Sequence, residues 1–252
     1  MDFTNKVVLV TGGSRGIGRA IAQQFAKRGA KVVVHYHSNL AAAEETLSTL
    51  AGNGHLIVQA DMKDAEAVEK MVETAVSHYG RLDILVNNAG IYKEHPLAEV
   101  SYETWQTRWR TTLDTNLVGP ANAMYCAGQQ MIKQGHGRIV NVSSRGAFRG
   151  EPTAPAYGAS KAGMNAMSQS LAKYLAPFNI FVGVVAPGFV QTEMAKEHLK
   201  GAQGDEIRSQ SPLNRVATAV EVAYGVLFLA SDGAEFMTGA ILDVNGASYL
   251  RS

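Results

Sequence analysis

The chain has 252 residues, of which 46% are hydrophobic and 18% are charged, and its single cysteine is Cys126. This composition is typical of a globular chain that buries a sizeable core, and one cysteine excludes an intramolecular disulfide. Lys and Arg number 23 against 22 Asp and Glu, so the charge balance does not favour binding to nucleic acid or to a membrane. Because no apolar run reaches the length of a signal-peptide core or a membrane span, we expect a cytoplasmic protein.

Short apolar runs alternate with longer amphipathic stretches along the chain. The runs predict seven strands at Lys6–Val10, Lys31–Val34, Leu56–Gln59, Leu82–Val86, Arg138–Val142, Phe181–Val185 and Ile241–Val244. Helical spacing predicts helices at Ile17–Phe25, Ala65–Tyr79, Ser101–Lys133, Ala156–Leu175 and Thr218–Ala230. This alternation favours the α/β class: one Rossmann-like domain over residues 1–252, with a doubly wound, seven-stranded parallel sheet and helices on both faces. Residues 190–218 interrupt the pattern, and we expect a mobile substrate loop there.

A glycine-rich turn, Thr11–Gly18 (TGGSRGIG), follows the first predicted strand and opens the first helix. Glycines suit a tight turn, close backbone approach to a pyrophosphate and close packing of helix on strand. No Gly-Lys-Ser/Thr follows, so the turn is not a Walker loop. The turn therefore predicts a dinucleotide site, whose contacts here are Gly12, Ser14, Arg15, Gly16, Ile17 and Gly18.

Cofactor choice should be encoded at the end of the second strand, where an Asp or Glu binds the ribose 2′-hydroxyl of NAD. This chain has no acidic residue between Asp2 and Glu44, so nothing there repels a 2′-phosphate. Arg15 offers an attracting charge. We therefore favour NADP(H), while NAD(H) stays open, and we expect further contacts from Tyr36, His37 and Ser38.

Three residues suggest proton transfer. Ser144 follows the fifth strand, and Tyr157 and Lys161 lie four residues apart on one face of the next helix. A phenol with its ordinary pKa near 10 is a poor base at neutral pH, but a nearby ammonium group favours the phenolate. The spacing therefore indicates acid/base chemistry on a substrate oxygen.

Together with Asn87-Asn88-Ala89-Gly90, Asn116 and Pro187-Gly188 followed by Thr192, these motifs resemble those of the classical short-chain dehydrogenase/reductases over essentially the full length. The resemblance implies hydride transfer between a nicotinamide cofactor and a ketone or secondary alcohol. It implies that Tyr157 is the acid/base, Ser144 binds the substrate oxygen, Lys161 lowers the pKa of the tyrosine and holds the nicotinamide ribose, and Asn116 anchors a relay water. It also implies cofactor contacts by Asp61, Met62, Asn88, Ala89, Gly90, Tyr157, Lys161, Pro187, Gly188, Val190 and Thr192.

Substrate identity is less clearly encoded. Phe181, Gly183 and Asn245 depart from residues frequent in the family, which weakens assignment to one subfamily. Many bacterial members reduce 3-oxoacyl groups on a carrier protein, but Lys133, His136 and Arg138 form only a thin basic cluster for docking. Arg145 and Arg149 could bind an anionic substrate, or they are solvated loop residues. The predicted pocket residues are Tyr92, His95, Arg145, Phe148, Arg149 and Phe189.

Pro120 lies four residues after Asn116 in a helical context and has no N–H to donate to the Asn116 carbonyl. We expect either a carbonyl free to hold a water or a local bulge in the helix.

Two further expectations concern partners and activity. The resemblance implies a homotetramer or a homodimer acting on a small molecule, and we predict no metal site. A cofactor-binding regulator or sensor with little turnover is the alternative function, although an intact set of Asn116, Ser144, Tyr157 and Lys161 favours an enzyme.

Overall fold

The computed structural model describes residues 1–193, 195 and 199–251. Seven parallel strands form one sheet in the order β3-β2-β1-β4-β5-β6-β9, and β7 and β8 form a separate parallel pair. The strands are β1 (Val7–Val10), β2 (Lys31–Tyr36), β3 (Leu56–Gln59), β4 (Ile84–Asn87), β5 (Gly137–Val142), β6 (Ile180–Pro187), β7 (Val190–Gln191), β8 (Ala217–Thr218) and β9 (Ile241–Val244). This architecture confirms the predicted fold class.

Helices cover both faces of this sheet. They are α1 (Gly16–Ala26), α2 (Leu40–Ser48), α3 (Ala65–Tyr79), α4 (Tyr102–Leu113), α5 (Gly119–Gln134), α6 (Gly146–Arg149), α7 (Pro155–Leu175), α8 (Gly201–Ser209) and α9 (Ala219–Ala230). Apolar side chains of α1 and α9 pack on one face, and those of α3, α5 and α7 pack on the other. All four residues of β1 are buried, as expected for a central strand covered on both sides.

The strand order reverses direction beside β1, since the chain runs outward to β2 and β3 and then returns to β4 on the other side of β1. In open α/β sheets, ligands bind in the crevice at such a reversal, beyond the carboxyl ends of the strands. The loops after β1 and β4 meet at this point, where the Thr11 N–H donates to the Val86 carbonyl at 2.9 Å.

Element boundaries differ from the predictions in several places. The second predicted strand extends to Tyr36, the fourth begins at Ile84 instead of Leu82, and the sixth spans Ile180–Pro187. Three helices, α2, α6 and α8, were not predicted, because each is short and buries at most two residues. The α8 helix lies inside the expected loop at 190–218. Part of that range, residues 194 and 196–198, lies outside the described residues, and the mobility of the loop stays a prediction.

The predicted helix Ser101–Lys133 is interrupted by a π-helical turn, Asp114–Val118, between α4 and α5. At its end the Gly119 N–H donates to the Asp114 carbonyl, five residues back. Pro120 follows directly and cannot supply an N–H to the preceding turn. Of the two expectations for this segment, the structure has the bulge, and Asn116 lies buried at its centre.

Candidate active site

The glycine-rich turn places backbone N–H groups at the beginning of α1. Gly12 and Gly16 adopt positive φ angles of 63° and 55°, which favour glycine. A Cβ on Gly18 would collide with the Gly12 carbonyl oxygen. The first turn of α1 carries no acidic residue and no side chain caps it. These N–H groups therefore stay available for the phosphates of a dinucleotide, and the turn fits such a cofactor.

Thr11 and Asn88 join the glycine-rich turn to the loop after β4. The Thr11 hydroxyl accepts hydrogen bonds from the backbone N–H groups of Asn88 and Ala89 at 2.9 and 3.0 Å. The Asn88 side chain donates to the Thr11 and Gly12 carbonyls at 3.0 and 3.2 Å. Thus Asn88 and Ala89 lie beside the turn, and the Asn88 side chain holds the turn in shape. The cofactor contacts that the family resemblance implies for these two residues stay a prediction.

His35 holds the same turn from the other side. Its Nδ1 accepts a hydrogen bond from the Gly12 N–H at 2.9 Å, and its Nε2 lies 3.0 Å from the Ala60 carbonyl. This arrangement requires a neutral ring with the proton on Nε2. The side chain is fully buried, and desolvation lowers its pKa to about 4. The support that His35 gives to the turn was not predicted from the sequence, where this position stood out only for its lack of an acidic residue.

We expect His35 to make the protein acid-sensitive. Between pH 6.5 and about 4, His35 is protonated in the unfolded chain but neutral in the folded protein. The free energy of unfolding therefore decreases as the pH falls through this window. The difference between the two pKa values corresponds to about 3 kcal/mol in the free energy of unfolding once the pH is below both. Urea unfolding of wild type and His35→Gln at pH 7 and pH 4.5 measures it. The variant should lose less stability than wild type on acidification, whereas exposed His78→Gln should behave like wild type. Equal losses in all three proteins would contradict this expectation.

The end of β2 carries the residues expected to discriminate the cofactors. Arg15 is exposed and makes no ion pair within the described part of the chain, while His37 and Ser38 are also exposed. His37 Nε2 lies 3.6 Å from a carboxylate oxygen of Asp61, and Lys63 Nζ lies 3.3 Å from the same oxygen. Lys63 is therefore a second cation at this edge that the sequence analysis missed. The Met62 side chain is buried and packs near Gly119.

The predicted acid/base residues lie together at the beginning of α7. Tyr157 lies close enough to Ser144 for the serine hydroxyl to lower the pKa of the phenol. The Ser144 Oγ also accepts the Gly146 N–H at 3.0 Å, which fixes the hydroxyl group beside α6. Lys161 Nζ donates to the Val142 carbonyl at 2.8 Å and lies 5.9 Å from the centre of the Tyr157 ring. A carbonyl oxygen placed between the two hydroxyl groups could accept hydrogen bonds from both.

The pKa of Tyr157 is raised to about 12 in this structure, mainly by burial, while the hydrogen bond with Ser144 lowers it and the Glu151 charge raises it further. Burial also lowers the pKa of Lys161 to about 8. The expected lowering of the tyrosine pKa by Lys161 is thus not seen in the protein alone. A phenol that keeps its proton at neutral pH suits the donor role that reduction of a carbonyl requires.

The Asn116 side chain connects the π-helical turn to the loop after β4 by two hydrogen bonds. Its side-chain oxygen accepts the Ile91 N–H at 2.8 Å, and its amide donates to the Ile91 carbonyl at 2.9 Å. A Cβ on Gly90 would lie 3.3 Å from the Asn116 side-chain oxygen and 3.6 Å from Lys161 Nζ. The structure therefore brings Gly90, Asn116 and Lys161 together, and the water relay stays a prediction.

The predicted contacts after β6 close the opposite side of the crevice. Thr192 faces the glycine-rich turn, since a Cβ on Gly16 would lie 3.5 Å from its methyl group. Pro187 ends β6, where its carbonyl accepts the Arg145 N–H at 2.9 Å. Gly188 packs against Asn245, and Val190 is buried in β7. Their contacts with the nicotinamide stay predictions.

Two of the predicted substrate residues, Tyr92 and His95, lie in different positions relative to the site. Tyr92 faces the site, with its ring centre 5.1 Å from that of Tyr157. His95 is fully buried, and its two ring nitrogens contact the Lys93 carbonyl at 2.8 Å and the Ala156 N–H at 3.4 Å, so it supports the pocket from behind.

Two arginines stack on the predicted aromatic residues. The Arg145 guanidinium lies over the Phe189 ring at 5.0 Å, and that of Arg251 lies over Phe148 at 4.5 Å. Arg145 is buried and donates to the side chains of Gln210 and Ser248, each at 2.6 Å. It is therefore not the solvated loop residue weighed above, and both terminal nitrogens of its guanidinium already donate to protein side chains.

The described residues contain no group of three His, Cys, Asp or Glu side chains placed to hold a metal ion. A search of the same residues found no helix that is both long and apolar enough to cross a membrane.

Known proteins resemble this chain in sequence and in fold. The family model described as enoyl-(acyl carrier protein) reductase matches residues 12–247. The 3-oxoacyl-(acyl-carrier-protein) reductase FabG of Staphylococcus aureus (strain Mu50) is 38% identical over 97% of this chain and 98% of its own length. FabG of Escherichia coli (strain K12) is 38% identical over 99% of this chain and 100% of its own. A solved dehydrogenase/reductase from Sinorhizobium meliloti 1021 has a TM-score of 0.89 at 32% identity and covers 99% of this chain and 97% of its own.

These matches span nearly the whole chain. The chain therefore belongs to the short-chain dehydrogenase/reductase family and is an NAD(P)-dependent oxidoreductase acting on CH–OH and C=O groups.

Proposed function

We propose that the protein reduces the carbonyl group of a small molecule with NADPH, with Tyr157 as the general acid. One observation carries the proposal: the Tyr157 phenol lies beside Ser144 at the crevice where Gly90, Asn116 and Lys161 converge, and burial raises its pKa to about 12, so it holds its proton at neutral pH. The bound cofactor would supply the hydride. Protein residues would bind the substrate oxygen and move one proton.

Each residue has a definite role in this proposal. Ser144 and Tyr157 would donate hydrogen bonds to the carbonyl oxygen, which polarises the carbonyl carbon toward hydride attack. As negative charge develops on that oxygen, the Tyr157 proton passes to it and an alcohol results. Lys161 is held by the Val142 carbonyl, and its positive charge would stabilise the phenolate that remains. Asn116 would keep the π-helical turn and the loop after β4 in place through its two hydrogen bonds to Ile91.

We expect Arg15→Ala to weaken NADPH selectively. Arg15 has no carboxylate partner within the described part of the chain and would form charge-assisted hydrogen bonds to the 2′-phosphate. Loss of such a bond costs about 1.5–3 kcal/mol, or roughly 10- to 100-fold in KM for NADPH. KM for NADH should change little. Steady-state kinetics with both cofactors measure this ratio, and an unchanged NADPH KM would reject the role of Arg15 and the preference that rests on it.

Reduction of 3-oxoacyl thioesters is the second candidate, supported by relatives named 3-oxoacyl-(acyl-carrier-protein) reductase at 38% identity. Docking of an acidic carrier protein has less support. In the basic cluster of the sequence analysis, Arg138 pairs with Glu235 at 2.5 Å and His136 lies 2.9 Å from Asp83. Arg138 and His136 therefore already have acidic partners within the protein itself.

A panel of ketones, secondary alcohols and acetoacetyl thioesters, assayed by nicotinamide absorbance with NADPH and NADH, tests the proposal. We expect turnover of at least one carbonyl class, faster with NADPH. If the protein binds NADPH but turns over no member of the panel, the regulator or sensor function replaces this one.

We further propose that the protein is a cytoplasmic homotetramer, or a homodimer, with a mobile substrate loop at about residues 190–218. Large aromatic side chains on three helices support self-association, since Tyr102, Tyr125 and Tyr174 are 66–76% exposed. Light scattering coupled to size exclusion measures the oligomeric state, and a monomer at micromolar concentration would reject it.

A further inference from the structure

The short helix α6 determines the direction of the Ser144 hydroxyl group. The N–H of its first residue, Gly146, donates to Ser144 Oγ at 3.0 Å. Because the oxygen accepts in this bond, the hydroxyl proton stays available for a substrate oxygen. A helix of only four residues is not stable on its own. Contacts from outside α6 must therefore hold the Gly146 N–H in place.

Arg145 makes the first of these contacts. It lies between Ser144 and α6, it is only 3% exposed, and its backbone N–H donates to the Pro187 carbonyl at 2.9 Å. Its two terminal nitrogens donate to Gln210 Oε1 and to Ser248 Oγ, each at 2.6 Å. The guanidinium thus joins the beginning of α6 to two segments that follow 65 and 103 positions later in the chain.

The C-terminal tail, residues 245–251, contacts α6 at two points. Ser248 is one of the acceptors for Arg145, and Ala247 directly before it has a φ of 57°, which is uncommon for a residue with a Cβ. The second contact is made by Arg251, whose guanidinium lies 4.5 Å from the centre of the Phe148 ring. The tail therefore supports α6 both at its beginning and near its end.

The charge of Arg145 is not needed for an ion pair. Within the described part of the chain no carboxylate pairs with it, although it is a buried arginine. Burial lowers the pKa of Arg145 to about 10, so the side chain is still charged at neutral pH. A buried charge without a partner costs stability, and an apolar side chain of similar volume often serves as well. Stability is thus a poor reason for an arginine here, whereas its hydrogen bonds to two distant segments are a good one.

The surroundings of the guanidinium do not favour direct contact with a substrate. Arg145 lines a cavity of about 140 Å³ together with Phe189 and Ser248. Among the described residues that line it, neither Ser144 nor Tyr157 is present. An arginine that acts through α6 needs no contact with the reacting groups.

We propose that Arg145 is a positioning residue for the proposed carbonyl reduction. By joining α6 to Ser248 and Gln210, it keeps the Gly146 N–H on Ser144 Oγ, so that the serine proton is directed to the substrate oxygen. This inference rests on the proposed function and adds a residue that touches neither substrate nor cofactor.

Arg145→Met tests the proposal, because it keeps most of the side-chain volume and removes the hydrogen bonds. With NADPH and the carbonyl compound of the panel above that wild type reduces fastest, kcat should fall roughly 10- to 100-fold, as expected when a reacting group is misplaced. KM for NADPH should change little, and Tm should stay within about 4 °C of wild type. Arg145→Lys keeps the charge but has no planar guanidinium to join two partners, so it should lose nearly as much kcat.

Arg28→Met is the matched control. Arg28 also donates to a glutamine side chain, that of Gln24 at 2.7 Å, and it also lies over an aromatic ring, that of Tyr224 at 5.6 Å. It follows the end of α1, whereas the glycine-rich turn lies at the beginning of this helix. The variant loses the same kinds of contact away from Ser144, and its kcat should match that of wild type.

A double-mutant cycle identifies the residue through which Arg145 acts. In Ser144→Ala no hydroxyl group is left to orient, so adding Arg145→Met should lower the single-turnover rate by no more than about twofold. A general structural role would lower the rate by the same factor in both backgrounds. Ser248→Ala removes one of the two acceptors. It should lower kcat less than Arg145→Met does and should have no effect in the Arg145→Met background.

The possible failures have different signatures. If wild type reduces no carbonyl compound of the panel, the proposed function itself fails. If wild type is active but Arg145→Met keeps its kcat, or loses it equally in Ser144→Ala, carbonyl reduction stands and the role of Arg145 is rejected. A rise in KM confined to ketones that carry a carboxylate would also reject it and assign Arg145 to substrate binding. Should Arg145→Met not fold, Ser248→Ala decides, since an unchanged kcat in that variant rejects the proposal.

Discussion

Tyr157→Phe should reduce kcat by at least about a thousandfold while NADPH still binds. The variant removes only the hydroxyl group, which is the proton donor placed beside Ser144, and positioned acid/base groups typically contribute 10²- to 10⁴-fold. The ring remains and can keep its edge-to-face contact with Tyr92. Single-turnover rates and NADPH binding, followed by fluorescence, measure the two effects separately.

Tyr92→Phe is the matched control for this result. It removes a phenol at a ring distance of 5.1 Å whose hydroxyl lies 3.5 Å from the Thr153 side chain. We expect its kcat to stay within about tenfold of wild type, since it transfers no proton in the proposed reaction. Turnover retained in Tyr157→Phe would assign the proton to another donor, and loss of NADPH binding in that variant would show that the substitution disturbs the cofactor site instead.

The central strands of the sheet were predictable from sequence because their apolar runs are covered on both faces. The segment Val7–Val10 is the clearest case, since all four side chains are buried. The helix α2 was not predictable in this way. Its stability comes from the Asn39 side chain, which accepts the Ala42 N–H, and from only two buried residues, Ala43 and Thr46. A short Ala-rich segment shows no strong periodicity, so sequence patterning alone does not reveal it.

The site was predictable where chemistry requires a residue type at a fixed position in the chain, as for Gly12, Gly18, Tyr157 and Lys161. What the sequence did not reveal was the direction of side chains. His35 reads as an ordinary strand residue, yet its ring supports Gly12 from 23 positions away. Arg145 follows Ser144 directly, but its side chain extends to Ser248, 103 positions later. Such pairings depend on tertiary packing, and local patterns do not contain them.

We expect Gly18→Ala to weaken cofactor binding by more than tenfold. The added methyl group would overlap the Gly12 carbonyl oxygen and would lie 2.6 Å from the Asn88 side-chain nitrogen. Asn88 donates hydrogen bonds to Thr11, the residue before Gly12, from both its backbone N–H and its side chain. Gly12 and Asn88 therefore cannot shift independently, and the glycine-rich turn itself must move. Overpacking of this kind costs about 1–3 kcal/mol of stability, and displacement of the phosphate-binding N–H groups should raise the Kd for NADPH by more than tenfold. Calorimetry and thermal unfolding with and without NADPH measure both effects.

Gly128→Ala is the matched control, because it also adds one methyl group to a buried helical glycine. A Cβ there meets no atom within 4 Å, and the residue lies in α5 with no positive φ angle. Since alanine favours helix more than glycine does, this variant should be unchanged or more stable by up to about 1 kcal/mol, with normal NADPH binding. Equal NADPH affinity in Gly18→Ala and Gly128→Ala would show that the close packing of α1 on the turn does not shape the cofactor site. The N–H groups at the beginning of α1 would then not be the groups that bind the phosphates. A selective loss in Gly18→Ala would instead tie cofactor binding to that one contact between helix and turn.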